Sequence, residues 1–93
     1  MPPTVDIPSP LQPYAAGRSR VDLADGCATV AGALGELARL HPGVVDRVTD
    51  ERGELRRHVN LFVDGENVRY MDGLRTPLAS DSTLTIVPAV SGG

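Results

Sequence analysis

The sequence predicts an α+β fold, a mixed sheet of about five strands with one main helix packed on one face, and three observations carry that reading. One stretch alone keeps a sustained helical period: Val30, Leu34, Leu37, Ala38 and His41 form a single stripe. Short stretches of alternating polarity lie on both sides of it, two before and three after. Glycine, proline and Asp-Gly pairs punctuate them at the spacing of turns. A helix that follows an opening hairpin and packs on one face of a mixed sheet is an α+β roll.

In chain order, Thr4-Val5-Asp6-Ile7 alternates and meets Pro8, which can close a strand. Ser9 to Arg18 holds Pro10, Pro13 and Gly17 and reads as a loop. Arg20-Val21-Asp22-Leu23 alternates again, with Val21 and Leu23 on one face, and stops at Asp25-Gly26. These two strands pair across an extended connection. Thr29 or Asp25 caps the helix, and Pro42-Gly43 ends it. Gly32 and Gly35 lie inside it at about 1 kcal/mol each relative to Ala, so close packing of helix on sheet is their expected role. Val44 to Val48 adds a further turn, and Thr49 to Arg56 reads as a polar loop.

The second half is strands. Val59, Leu61 and Val63 alternate with His58, Asn60 and Phe62. Asp64-Gly65 offers a tight hairpin turn, and Asn67 to Tyr70 returns as a short strand. Asp72-Gly73 turns again, and Pro77-Leu78-Ala79 reads as a single helical turn. Thr83 to Val87 is the final strand, with Leu84 and Ile86 facing the core. If the first and last strands pair in parallel, the chain between them must cross over, and handedness leaves few topologies.

Ninety-three residues suit one small domain, expected over residues 1–93 with 88–93 as a protruding flexible tail. Three aromatics and no Trp mean a core of Val, Leu, Ile and Ala. A net charge of −3 argues against an electrostatic nucleic-acid binder. No apolar run has the length of a membrane span, and Met1-Pro2-Pro3 does not open a secretory signal. The single cysteine, Cys27, cannot staple the fold and is expected as a small apolar residue. A cytoplasmic monomer is the resulting expectation. All nine basic residues are arginine, so no copy can be linked to another through a lysine side chain.

The most informative segment is Leu84-Thr85-Ile86-Val87-Pro88-Ala89-Val90-Ser91-Gly92-Gly93. An apolar strand runs to within a few residues of a tip without side chains. Such a tip suits a C-terminal carboxylate that threads a narrow channel and reacts there. Glycine permits close approach of the backbone to another surface, and Pro88 stiffens the exit through its fixed φ. From Val87 to Gly93 the extended chain reaches about 20 Å at roughly 3.3 Å per residue.

That element order and tail resemble the β-grasp sulfur carrier family, the ubiquitin-like group that includes the small subunit of molybdopterin synthase and the thiamine sulfur carrier. Within it the chain is most similar to the actinobacterial CysO-type carriers of cysteine biosynthesis. The resemblance covers nearly the whole chain. It rests on Arg57-His58-Val59-Asn60-Leu61-Phe62-Val63-Asp64-Gly65-Glu66-Asn67-Val68-Arg69-Tyr70, on Gly73-Leu74 with Thr76-Pro77-Leu78, and on Pro88-Ala89-Val90-Ser91-Gly92-Gly93. Gly-Gly alone is weakly specific; in this context it is strong.

The resemblance implies a ubiquitin-like β-grasp fold and a carrier that is no enzyme itself. A partner adenylyltransferase similar to ubiquitin-activating enzymes would use ATP and Mg²⁺ to adenylate the Gly93 carboxylate, and a sulfur nucleophile would then give a thiocarboxylate. No cofactor or metal would be held by this chain. Val90, Ser91 and Gly92 would enter the partner's channel. The sulfur would pass to an acceptor synthase, cysteine-synthase-like or a thiosugar synthase. The alternatives are a molybdopterin synthase small subunit and a ubiquitin-like modifier that forms isopeptide bonds through Gly93.

Partner docking is expected at Phe62, Val87 and Pro88. If Val59, Leu61 and Val63 face the core, alternation sends Phe62 outward, and Val87 shares that register on the neighbouring strand. An outward aromatic beside an outward valine suggests a patch that matches the ubiquitin hydrophobic surface in position. Arg56, Arg57 and Arg69 read as exposed charge that can meet acids on a partner. His41 and His58 are too few and too far apart for a metal site or a triad.

Overall fold

The computed structural model describes residues 2–24 and 26–88. Five strands form one mixed sheet in the order β2-β1-β5-β3-β4. They are β1 (Thr4–Asp6), β2 (Arg20–Asp22), β3 (Val59–Val63), β4 (Glu66–Asn67) and β5 (Thr83–Pro88). Two helices stand between the hairpin and β3: α1 (Val30–Leu40) and α2 (Pro42–Val48). The expected α+β architecture and the strand–strand–helix–strand–strand–strand order are both observed.

The last strand enters the middle of the sheet. β5 runs parallel to β1, with Val5 opposite Leu84, and antiparallel to β3, with Leu61 opposite Ile86. The first and last strands therefore do pair in parallel. Alternation then decides the faces: Val5, Val21, Leu61, Leu84 and Ile86 are buried, together with Val30, Ala33, Leu34 and Leu37 from α1. Burial of this apolar surface at about 25 cal/mol per Å² is the main favourable term in the fold.

Local chemistry accounts for the helix ends. Thr29 is the N-cap of α1, its hydroxyl accepting from the Gly32 N–H at 3.1 Å; Asp25 lies outside the described residues. Pro42 does end α1, and it also opens α2, because a missing N–H costs nothing in a first turn. The expected single turn at Val44–Val48 is thus a seven-residue helix with Val44 and Val48 buried. Gly43 allows that helix to approach the first hairpin connection, since a Cβ there would stand 3.2 Å from the Tyr14 ring.

Several expectations are corrected. Ser9 to Arg18 is no plain loop but a 3-10 helix over Ser9–Ala15, with Leu11 and Ala15 buried. Pro10 sits in its first turn, where proline is tolerated. Asn67 to Tyr70 is not a strand beyond Asn67; a 3-10 turn, Val68–Tyr70, follows because the Asn67 side chain accepts from the Arg69 N–H at 2.9 Å. The expected turn at Pro77–Ala79 is displaced to Gly73–Arg75, while Pro77 bridges Thr29. Gly32 and Gly35 do not pack on the sheet: both are exposed, and a Cβ at Gly35 would meet open space. The helical step places them about 200° and 140° round from Val30, on the far side of the helix. Ala38 and His41, read as part of the buried stripe, are only half-buried, and Ala33 is in it instead.

Candidate functional site

The outer face of the sheet is built by what alternation leaves over. Between the buried Val59, Leu61 and Val63, the side chains of Asn60 and Phe62 leave on the opposite face and are half-buried. On β5 Leu84 and Ile86 turn inward, while Val87 is 41% exposed. Phe62 stands opposite Thr85 and Asn60 opposite Val87. Phe62 and Val87 therefore share the outer face of adjacent strands, two residues apart along the ladder, in the register expected.

Pro88 belongs to β5, registered against Val59. The strand thus takes one residue that the sequence reading gave to the tail, and the backbone is tied to the sheet until that point. Val90, Ser91, Gly92 and Gly93 lie outside the described residues. What the structure establishes is the base from which they start.

Polar residues frame the apolar pair. Asn60 Oδ1 accepts from Asn67 Nδ2 at 3.3 Å and from Arg69 Nε at 3.1 Å. Arg69 Nη2 donates to the carbonyls of Arg56 at 2.7 Å, Arg57 at 3.2 Å and Val59 at 2.7 Å. Arg69 is therefore not simply exposed charge. Its guanidinium holds the segment entering β3, and through Val59 it supports the strand end that carries Pro88. Next to it Tyr70 is 88% exposed, an aromatic that the sequence reading assigned to a strand. The turn-forming Asn67 was the signal that the strand stops early.

Cys27 packs half-buried against the core, as expected of a small apolar residue. His58 is exposed and His41 half-buried. Among the described residues no three His, Cys, Asp or Glu side chains gather as a metal set, and no helix is long and apolar enough to cross a membrane. The shifted carboxyls lie elsewhere. Glu36 is lowered chiefly by its hydrogen bond from Arg39, and Asp50 chiefly by the backbone N–H of Glu54.

A family model described as the ThiS family matches residues 5–93, nearly the entire chain. The chain belongs to the ThiS family. Sulfur carrier protein CysO of Mycobacterium tuberculosis is 36% identical over 92 residues, 97% of each chain. Small archaeal modifier protein 1 of Haloferax volcanii is 40% identical over 74 residues, 80% of this chain and 79% of that one. A chain of the crystal structure of the Amycolatopsis orientalis BexX/CysO complex superposes with a TM-score of 0.89 at 35% identity, covering 98% of this chain and 99% of that one. The fold is accordingly the ubiquitin-like β-grasp, and the relatives that this ThiS-family protein resembles are a sulfur carrier protein and a small archaeal modifier protein. A CysO-like carrier in that complex has a protein partner.

Proposed function

We propose that this ThiS-family protein carries sulfur as a thiocarboxylate on Gly93. A partner adenylyltransferase joins the Gly93 carboxylate to the α-phosphate of ATP and releases pyrophosphate; a sulfur nucleophile then displaces AMP. The carboxylate by itself is a poor acyl donor because its leaving group would be oxide, and adenylation supplies a good one. ATP and Mg²⁺ belong to the partner. The sulfur goes to cysteine or a related sulfur metabolite, thiosugars included. This chain contributes the reacting carboxylate, a side-chain-free tip and a docking face at Phe62 and Val87. The observation that carries the reading is the match to CysO over 97% of both chains, joined to the Gly92-Gly93 ending.

The intact protein, incubated with an activating enzyme, ATP and a sulfide source, is expected to gain about 16 mass units as one carboxylate oxygen becomes sulfur. Deletion of Gly93 abolishes the gain while the thermal transition stays in place. Sulfur found on Cys27 with Gly93 unmodified would overturn the carboxylate mechanism. The similarity to small archaeal modifier protein 1 favours a second reading, a ubiquitin-like modifier joined through Gly93 to a target lysine. Conjugates of higher mass that resist thiol reagents, with no thiocarboxylate species, would select it.

A further inference from the structure

On the helix side of the sheet, opposite Phe62 and Val87, a cleft of about 310 Å³ opens at the base of the C-terminal strand. Leu11, Val59 and Pro88 give it an apolar floor, and Arg47 and Arg56 stand at its rim with His58. Asp46 is the one carboxylate in its lining.

The two guanidinium groups are held in place without being neutralised. Among the described residues the ion pairs to carboxylates involve Arg20, Arg39 and Arg52. Arg47 instead lies 3.6 Å over the Tyr14 ring centroid and donates to the Gly43 carbonyl at 3.1 Å. Arg56 donates through Nε to the Thr49 carbonyl at 3.1 Å and through Nη2 to the Asp46 carbonyl at 3.1 Å. Rings and carbonyls orient a guanidinium but leave its charge intact. The ordering cost that a partner would otherwise meet is therefore already met within the fold. A fixed pair of cations over an apolar floor, on a chain of net charge −3, is a local reversal of sign.

We infer that this cleft is a second docking surface, and that its occupant is an acidic segment with an apolar side chain on the enzyme that receives the tail. The carboxylates of that segment meet Arg47 and Arg56, for which planar guanidinium groups are the suited partners. Its apolar side chain covers Leu11 and Pro88. The tail root is then gripped from both sides, by the outer sheet face and by this cleft. The identity of the occupant's owner rests on the carrier reading; the cleft's preference for acidic ligands does not.

The test is a titration of the full-length ¹⁵N-labelled protein with the capped peptide acetyl-Glu-Leu-Glu-Leu-Asp-amide, against the analogue with Gln and Asn in place of the acids. Shifts are expected at the amides of Leu11, Val44 to Val48 and Val59 with the acidic peptide alone. Arg47→Gln, a change on an exposed side chain, should weaken binding roughly tenfold, as loss of one charge-assisted hydrogen bond implies. Arg56→Gln should do the same, its own spectrum reporting whether the end of α2 is intact. Absence of shifts, equal binding of the neutral analogue, or shifts centred on Phe62 and Val87 would each overturn the proposal. The titration involves neither ATP nor sulfur, so its failure leaves the mass-gain experiment standing, and the reverse holds too.

Discussion

The two faces of this sheet share strands but not chemistry. The inner face is uniformly aliphatic: Val5, Leu61 and Leu84 have no exposed surface or next to none, and α1 covers them. The outer face is mixed and changes along the sheet. On β1 and β2 it carries Asp6 opposite Arg20, paired at 3.1 Å. On β3 and β5 it carries Phe62 and the exposed Val87. There the outer face sets an apolar pair among polar neighbours, Asn60 and Thr85, and β5 carries it to Pro88. The inner face supplies the core, and the outer face at β3 and β5 is where the proposed function places docking.

The largest expected effect breaks the inner face. Leu61→Ala removes a fully buried side chain and should cost about 2–5 kcal/mol in urea unfolding, while the folded fraction still binds its partner normally. Phe62→Ala tests the other half of the contrast. It should weaken binding to the activating or acceptor enzyme by on the order of 2 kcal/mol. Its stability cost should fall short of the roughly 3–5 kcal/mol of a buried Phe truncation. The reverse pattern, a large stability loss with unchanged affinity, would place Phe62 in the core and dissolve the distinction.

A third variant is neutral to both faces. Thr29→Ala removes the cap of α1 and should lower stability by about 1 kcal/mol, read from the thermal midpoint, without touching partner affinity. The smallest effect is electrostatic. Asp50 accepts the N–H groups of Arg52 and Glu54 at 2.9 and 3.0 Å, so its folded pKa is lowered. A lowered folded pKa means stability present above the ordinary carboxylate range and lost as pH falls through the folded value. Urea midpoints of Asp50→Asn should therefore fall less steeply than wild type below that range. Identical slopes would show that these turn hydrogen bonds do not bias its protonation.

Much of the fold was legible because its signals are local. The alternation Val59-Asn60-Leu61-Phe62-Val63 settled which side chains turn inward, and a slip of one residue would have reversed every one of them. Asp64-Gly65 marked the hairpin, and both residues do take positive φ, 51° and 90°. The misreadings were local too. Prolines were read as loop where a 3-10 helix tolerates them, and Asn67 was read as strand although its side chain makes a turn. Gly32 and Gly35 were read as packing glycines although their angle from Val30 points them outward.

By itself the sequence determined the element order, the buried faces of β2, β3 and β5, and the Gly92-Gly93 motif on which the proposed function rests. These follow from periodicity, turn chemistry and a motif, all properties of neighbours along the chain. Tertiary structure alone decided what lies beside Pro88. The insertion of β5 between β1 and β3 brings Pro88 opposite Val59 and into one cleft with Leu11 and the end of α2. The β3–β4 hairpin lets Arg69 reach the carbonyls before β3, and the bonds of Arg56 to the Asp46 and Thr49 carbonyls set it at one rim with Arg47. Leu11 and Pro88 lie far apart in the chain, and no spacing encodes where a guanidinium finds its partners, because backbone carbonyls accept one wherever the fold presents them.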